Sequence, residues 1–259
     1  MLETLIALLF AHVAADFVTQ SRGMIAAKRR PPVFALHILC VAMFSVLALG
    51  ASSPGAWAAV GLVVVSHAGL DALKIQPRIE AWAAARPFGS LQLFAIDQAG
   101  HVLFIGFASM SWPHAFGQGF WPALLTPAHA REMLTGFVLG GGFWLATRVG
   151  DLMLALLMTG FHRVHRTMDG GDDSPQMPGA GAWIGWLERT LVFLFVLLGQ
   201  FNAIGFVIAA KSILRFQYAR EPRVSEIVII GTLASFGWAI IVALLTHAAL
   251  IGLWAHGDG

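Results

Sequence analysis

Long runs of apolar residues alternate with short polar breaks along the whole chain. Eight such runs lie at about 2–20, 33–50, 56–75, 91–111, 133–160, 180–199, 201–217 and 226–255. A helix needs ~20 mostly apolar residues to cross the hydrocarbon core of a bilayer, and most of the runs reach about that length. The pattern therefore predicts an all-α fold: a polytopic integral membrane helix bundle with about eight apolar segments.

The polar breaks indicate how the chain is divided. Residues 112–132 contain two tryptophans and three prolines, and tryptophan is enriched at headgroup depth, so we expect an interfacial loop there. This loop would separate a four-helix membrane half over 1–111 from a second membrane half over 133–259. Within the second half, Gly, Asp and Pro crowd the stretch near 168–181, which predicts a flexible cytoplasmic linker.

Residues 180–217 are almost wholly apolar and are too long for one span. The sequence Gly199-Gln200-Phe201-Asn202 offers a turn in the middle. Two structures fit this pattern. One is a tight helical hairpin; the other is a pair of re-entrant half-helices, which are tolerated only where protein buries them. We interpret the stretch as a tight helical hairpin, and the re-entrant pair is the alternative that the sequence leaves open.

Composition narrows the class of partner. The chain is 58% hydrophobic and 12% charged, whereas a soluble domain carries roughly 25% charged residues. The lipid bilayer is therefore the predicted partner. The formal net charge is only +2 and no basic helix or aromatic–basic platform occurs, so no nucleic-acid partner is expected. The single cysteine, Cys40, excludes a disulfide framework and a Cys-based zinc site.

The positions of the basic residues predict the orientation. With the N-terminus outside, thirteen of the 16 Lys and Arg residues fall on inner loops or inner helix ends, and only Arg131 falls outside. Basic residues favour the cytoplasmic side of a membrane. The asymmetry predicts eight spans with both termini outside the cytoplasm.

Polar residues inside the apolar runs form one stripe on each of three helices. A spacing of three or four residues places side chains on one helical face. The stripes, with one further histidine in the second run, consist of His12, Asp16, Gln20, His37, His67, Asp71, Lys74, Asp97, Gln98 and His101. In all three stripes the Asp lies nearer the cytoplasm and the His one turn deeper. We therefore expect four imidazoles and three carboxylates to converge on one cavity.

Such a cluster indicates metal chemistry. Ionisable groups inside a span cost roughly 2.5–3.5 kcal/mol each, so they usually have partners or a function. Neutral imidazole and carboxylate are ligands of Zn, Mn, Fe and Co, and a divalent ion of this kind is the predicted cofactor. The predicted metal ligands are His12, His37, His67, Asp71 and His101.

The remaining residues of the stripes suit catalysis and substrate binding. Asp16, Asp97 and Lys74 are the predicted catalytic residues. Lys74, with Gln20 and Gln98, would hold an anionic or carbonyl group of a substrate that the sequence does not identify. The reaction that fits is hydrolysis or group transfer by metal-activated water at the cytoplasmic leaflet.

Two other functions stay open at this point. A proton- or ion-coupled transporter or channel would also use intramembrane His and Asp. A non-catalytic membrane scaffold would use the same groups only to fix helix packing. The spacing of the residues does not choose among these three functions.

A second polar set lies in the fifth and sixth runs. It consists of Arg148, Asp151, Glu188 and Arg189. Because a buried charge is stable only when it is paired, we interpret the set as crossed ion pairs. The expected partners are Arg148 with Glu188 and Asp151 with Arg189.

Several of these motifs resemble a known family. The stretch LFAHVAADFVTQ, from Leu9 to Gln20, resembles the opening of a group of bacterial membrane proteins called domain of unknown function 3307. His37, the motif HxxxDxxK from His67 and the motif DQxxH from Asp97 continue the pattern, so the resemblance covers about residues 5–110. Motifs between residues 186 and 235 are similar to a C-terminal half found in longer members. The resemblance implies a multi-pass protein of the bacterial inner (cytoplasmic) membrane and brings no assigned reaction.

Overall fold

The computed structural model of the chain describes residues 1–168, 180–216 and 222–255. Within these ranges all regular secondary structure is helical. The helices are α1 (Leu2–Val13), α2 (Arg22–Ala26), α3 (Pro31–Leu49), α4 (Pro54–Lys74), α5 (Pro77–Ala84), α6 (Gly89–Ser111), α7 (Trp121–Leu124), α8 (Pro127–Trp144), α9 (Gly150–Met168), α10 (Ala180–Leu197), α11 (Phe201–Phe216) and α12 (Pro222–Ala255). Two π-helical stretches, Ala14–Thr19 and Leu145–Val149, follow α1 and α8.

Six helical segments in the described ranges are long and apolar enough to cross a membrane. They are Leu2–Thr19, Pro31–Leu49, Pro54–Lys74, Gly89–Ser111, Pro127–Val164 and Ile229–Ala255. The predicted all-α, multi-pass class is confirmed, whereas the count of about eight is not. The difference lies in the sixth and seventh apolar runs, where α11 offers only a shorter apolar stretch, Phe201–Ile213.

Local signals explain where the membrane helices begin and end. Pro31, Pro54 and Pro77 open α3, α4 and α5, since proline lacks only an N–H that the first helical turn leaves unpaired anyway. The Ser53 side chain accepts a hydrogen bond from the Ala56 N–H at 3.3 Å and caps α4. Gly50 ends α3 with a φ of +68°, in the left-handed region that favours glycine.

A turn separates α10 from α11 at the place that the sequence indicates. Gly199 has a φ of +68°. The N–H of Gly199 donates to the Val196 carbonyl at 3.1 Å, and the N–H of Gln200 donates to the Phe195 carbonyl at 2.7 Å. These are the paired hydrogen bonds of a helix C-terminus that reverses through a glycine. The helical pair is therefore present, and its depth in a bilayer stays a prediction.

The chain forms two compact units. The first contains residues 1–85, 92–141 and the end of α12 from Ala249, and the second contains residues 86–91 and 142–248. The first has an alanine-rich core in which Ala7, Ala56 and Ala108 are fully buried. Such small side chains let membrane helices approach closely. The predicted division into halves at 112–132 stays a prediction, and most of the predicted linker at 168–181 lies outside the described residues.

Residues 112–132 pack against the far end of α3 in the first unit. The Trp121 indole N–H donates to the Leu47 carbonyl at 2.6 Å, and the Phe120 N–H donates to the Gly50 carbonyl at 2.8 Å. His37 lies near the other end of α3, ten residues before Leu47, which is ~15 Å along a helix. The tryptophan loop and the histidines therefore lie at opposite ends of the helices.

Candidate metal centre

Four helical segments of the first unit bring the predicted histidines and aspartates together. We call these residues the His/Asp cluster: His12 of α1, Asp16 of the first π-helical stretch, His37 of α3, His67 and Asp71 of α4, and Asp97 and His101 of α6. Six of them are at most 5% exposed, and the Asp16 side chain is 9% exposed. The protein therefore shields the cluster almost completely from its surroundings.

Asp16 is presented by an unusual stretch of backbone. Residues Ala14–Thr19 form a π-helix, and the chain leaves it at Gln20 with an extended ψ of 102°. A π-helical turn is wider than an α-helical one and occurs frequently at functional sites. His12 and Asp16 still face each other across this turn, with His12 Nδ1 3.8 Å from Asp16 Oδ2.

Four side-chain atoms form the tightest part of the cluster. We call Asp16 Oδ1, His37 Nε2, His67 Nε2 and Asp71 Oδ2 the inner donor set. The two imidazole nitrogens are 3.1 Å apart. His37 Nε2 lies 3.4 Å from Asp16 Oδ1 and 3.0 Å from Asp71 Oδ2. His67 Nε2 lies 3.3 Å from each of the same two oxygens. Five close contacts therefore join four atoms that can each bind a proton or a metal ion.

Protons alone do not account for these five contacts. A neutral imidazole carries one N–H, and a carboxylate carries none. The two histidines can therefore supply at most two N–H protons to the inner donor set. If both Nε2 atoms carry a proton, two N–H groups face each other at 3.1 Å, and if only one does, the other nitrogen faces two carboxylate oxygens. No distribution of the two protons therefore satisfies all five contacts in this buried site. A cation among the four atoms would satisfy all of them.

The cluster continues from His67 towards α6 and α1. The His67 and His101 ring centroids are 4.2 Å apart, and those of His101 and His12 are 5.0 Å apart. Three overlapping groups of residues have donor atoms within 4.8 Å of one another: His12, Asp16 and His67; His37, His67 and Asp71; and Asp71, Asp97 and His101. These buried groups could hold a metal ion, because each combines imidazole with carboxylate.

Two lysines contact the carboxylates of the cluster. Lys28 Nζ lies 2.7 Å from Asp71 Oδ2, and Lys74 Nζ lies 2.6 Å from Asp97 Oδ2. The Lys28 side chain is 11% exposed and that of Lys74 is 32% exposed. Lys74, which the sequence predicts as a substrate contact, thus forms an ion pair with Asp97. The same ammonium groups could face an anion that enters the site.

The two glutamines of the stripes have different surroundings. Gln98 Oε1 lies 3.2 Å from His12 Nε2, and Gln98 Nε2 donates to Asp97 Oδ2 at 3.1 Å. Gln98 therefore connects α1 with the lysine-bound carboxylate of α6. The amide nitrogen of Gln20 is buried without a hydrogen-bond partner in the part of the chain that the structure describes.

The second unit pairs its buried charges differently from the crossed pairs that the sequence suggests. Arg189, with a side chain 3% exposed, donates to Asp151 Oδ1 at 3.3 Å and to Ser235 Oγ at 3.4 Å. The Asp151–Arg189 pair is therefore as expected. Glu188 forms an ion pair with Lys211 of α11 instead of with Arg148. That expectation was wrong because α11 turns back against α10 and brings the Lys211 ammonium group to the Glu188 side chain.

The comparisons with known proteins bear on the first part of the chain. Residues 4–118 match the family described as Protein of unknown function (DUF3307). All seven residues of the His/Asp cluster lie inside this stretch, which is less than half of the 259 residues. No curated protein and no solved structure matches the chain. The DUF3307 match confirms the resemblance and assigns no activity.

Lys28 is the residue of the site that sequence reasoning missed. It stands in the basic sequence Lys28-Arg29-Arg30 between two apolar runs, where basic residues usually mark the cytoplasmic side. Helical spacing gives no signal for it, because it follows the short helix α2 outside any membrane span. Arg29 forms an ion pair with Glu80 of α5.

Proposed function

We propose that this chain is a metal-dependent hydrolase or transferase of the inner membrane of a bacterium, acting near the cytoplasmic leaflet. One observation carries the proposal: in the inner donor set, each of the two imidazole nitrogens lies 3.0–3.4 Å from the other and from both carboxylate oxygens. These atoms come from three segments that are distant along the chain, so the arrangement is a product of the fold.

The spacing suits a zinc-like ion. Zinc binds imidazole nitrogen and carboxylate oxygen at ~2.0–2.2 Å, almost always in tetrahedral geometry. For bonds of that length, two ligands of a tetrahedron are separated by about 3.3–3.6 Å. The five contacts of the inner donor set, at 3.0–3.4 Å, approach these separations. Small shifts of the side chains would admit the ion.

The surroundings of the inner donor set suit a reaction at the membrane. A metal ion activates water as a nucleophile and polarises the bond to be broken. Lys28 and Lys74 would hold a negatively charged group of the substrate, and Gln98 would orient His12. Asp97 is held by Lys74 and Gln98 within reach of the donor atoms, so its carboxylate would orient the attacking water.

The first experiment measures the metal. The full chain would be purified in mild detergent, stripped with a chelator, reloaded with Zn²⁺ and desalted before elemental analysis. We expect bound zinc in the wild type and a severalfold lower zinc content in His67→Ala. His114→Ala is the matched control, because His114 is an exposed histidine in the loop 112–132. Equal zinc in wild type and His67→Ala, or none in either, would refute the proposed site.

The second experiment tests hydrolysis without assuming which bond breaks. The zinc-loaded chain would be incubated with vesicles of phosphatidylethanolamine and phosphatidylglycerol in water enriched in ¹⁸O. Hydrolysis transfers oxygen from water to a lipid or headgroup product, which mass spectrometry detects. We expect metal-dependent incorporation in the wild type and none in His67→Ala. Bound zinc without incorporation would favour a structural metal in a membrane scaffold.

A second candidate function is proton transfer through the membrane. The imidazoles of His37, His67 and His101 succeed one another with ring centroids 5.2 and 4.2 Å apart, and His12 continues the series. Histidine gains and loses protons near neutral pH. Liposomes containing the metal-free chain and a pH-sensitive dye would report the flux. A proton current abolished by His101→Ala would favour this function over hydrolysis.

A further inference from the structure

A second group of ligand atoms lies beside the inner donor set. Asp71, Asp97 and His101 offer donor atoms within 4.8 Å of one another, and their exposed fractions are only 1, 5 and 3%. Asp71 belongs to both groups. Any role of this second group in metal binding rests on the proposed function, because the group adjoins the metal position proposed above.

The hydrogen bonding of His101 leaves one nitrogen free to bind a cation. His101 Nδ1 lies 2.7 Å from the backbone carbonyl of Asp97. A carbonyl only accepts hydrogen bonds, so Nδ1 carries the proton and, in the neutral ring, Nε2 carries a lone pair. His101 Nε2 is buried and has no hydrogen-bond partner among the described residues. Metal-binding histidines are typically oriented by such a bond from the other ring nitrogen.

The two oxygens of the Asp97 carboxylate also differ in their hydrogen bonding. Its Oδ2 accepts hydrogen bonds from Lys74 Nζ at 2.6 Å and from Gln98 Nε2 at 3.1 Å. Its Oδ1 is buried without a hydrogen-bond partner in the described ranges. One oxygen is therefore held by fixed donors, while the other retains its lone pairs beside Asp71 and His101.

We propose that Asp97 Oδ1 and His101 Nε2 bind a second divalent metal ion, with Asp71 bridging it to the ion of the inner donor set. Pairs of metal ions in hydrolytic sites lie ~3.5–4 Å apart, a spacing that a carboxylate can bridge with its two oxygens. The inner donor set supplies four protein ligands, so a water on its ion would be a fifth ligand, a coordination that zinc reaches in some catalytic sites. The second position has three, which is the number that leaves a coordination site open for water or substrate.

Charge balance indicates the ligand that this open position takes. The three carboxylates of the cluster and the ammonium groups of Lys28 and Lys74 together leave one net negative charge. Two divalent ions would change this to a net charge of plus three in a buried site, which is unfavourable unless an anion enters with them. The ligand class is therefore a phosphate group, whose oxygens bind two ions and both lysines.

The experiment counts ions in the full chain. Protein in mild detergent would be stripped with a chelator, reloaded with Zn²⁺ in the presence of inorganic phosphate, desalted and analysed for zinc per chain. We expect two ions in the wild type and in His114→Ala, and one in His101→Ala and in Asp97→Asn. The Asn side chain has nearly the shape of Asp, which guards against misfolding, and gel filtration would confirm the same elution for all variants.

The outcomes separate this inference from the proposed function. One ion in the wild type, unchanged in His101→Ala, would overturn the second position and leave the first intact. Two ions in both proteins would overturn the assignment of His101. No ion in any protein would refute the proposed function itself. Loading with Mn²⁺ gives an independent signal, since two manganese ions bridged by Asp71 produce a spin-coupled spectrum that His101→Ala should convert to that of an isolated ion.

Discussion

The two compact units bury charged side chains in opposite ways. In the second unit two largely buried cations face anions: Arg189 faces Asp151, and Lys211 faces Glu188. In the first unit the inner donor set joins two nitrogens and two carboxylate oxygens by five contacts of 3.0–3.4 Å, with at most two N–H protons among them. Both arrangements offset the cost of placing ionisable groups among apolar helices.

This difference in how the two units pair their buried charges indicates which of the two groups of residues suits a bound ligand. A matched cation–anion pair neutralises itself and needs nothing further, so the second unit's pairs are accounted for by packing alone. The first unit has more ligand atoms than its own protons and lysines can serve, and several of them stay without a hydrogen bond among the described residues. Such surplus donor atoms suit a cation, and this contrast can be tested by mutation.

The largest expected effect is stabilisation of the first unit by metal. A ligand at a thousand times its Kd adds about 4 kcal/mol to the free energy of unfolding. We expect Zn²⁺ to stabilise the chelator-treated wild type by about this amount, because the ion binds only the assembled site. His67→Ala, which removes a residue shared by two donor groups, should abolish the response. The measurement is SDS-induced unfolding in detergent, with His114→Ala as the control.

The next effect concerns the second unit and should not depend on metal. Asp151→Ala leaves the Arg189 guanidinium unpaired, and its side chain is only 3% exposed. Loss of one partner of a buried pair costs roughly 3–5 kcal/mol, and we expect the lower end. Arg189→Ala should cost less, because the Asp151 side chain is 33% exposed and water can reach it.

The double variant checks the same pairing. Asp151→Ala combined with Arg189→Ala should be more stable than Asp151→Ala alone, because no unpaired guanidinium remains. If the two single losses simply add, the Asp151–Arg189 pair contributes nothing as a pair. Zn²⁺ should change the unfolding of these variants by the same amount as that of the wild type.

Substitution of Lys28 should have a smaller effect. It should lower the stability of the metal-free chain and raise its affinity for Zn²⁺. The Lys28 ammonium group lies 2.7 Å from Asp71 Oδ2, so it stabilises that carboxylate in the metal-free chain and repels a cation at the same place. Lys28→Met should therefore lower metal-free stability by about 1–2 kcal/mol and tighten Zn²⁺ binding about tenfold. Lys211→Met in the second unit should lower stability without changing zinc affinity.

Zinc affinity in that comparison would be measured by competition with a chromogenic chelator. Unchanged or weaker binding in Lys28→Met would mean that no cation shares Asp71 with the lysine. The contrast between Lys28 and Lys211 is informative because both ammonium groups contact a carboxylate and both side chains are 11% exposed.

Much of the fold follows from the sequence because a bilayer imposes simple rules. Apolar runs of about twenty residues must be helical there, and Gly50, Ser53 and Gly199 mark ends and starts that the structure reproduces. The number of spans did not follow: among the described residues α10 and α11 both fall outside the candidate spans, and the apolar part of α11, Phe201–Ile213, is shorter than a span.

The site was predictable where it obeys helical periodicity and not elsewhere. His12, His67 and Asp71 share faces by their four-residue spacing, and the structure brings them together. Lys28 has no such spacing, since it lies in a turn. The partner of Glu188 depends on how α11 turns back on α10, which is a tertiary fact. The π-helix at Asp16 likewise leaves no signature in spacing, because four-residue steps are read as α-helix.

The smallest expected effect is at the edge of the first unit. Arg29 and Glu80 form an exposed ion pair, with side chains 57 and 47% exposed. Exposed pairs contribute about 0–1 kcal/mol, so Arg29→Ala should change the unfolding free energy by less than about 1 kcal/mol. The Arg29→Ala variant also tests what holds the adjacent residue, Lys28, in place. If the pair holds Lys28 in place, Arg29→Ala should shift zinc affinity in the same direction as Lys28→Met but less. If Arg29→Ala leaves the zinc affinity unchanged, the ion pair with Asp71 alone holds Lys28 in place. The contrast between the buried charges of the two units then does not depend on exposed ion pairs.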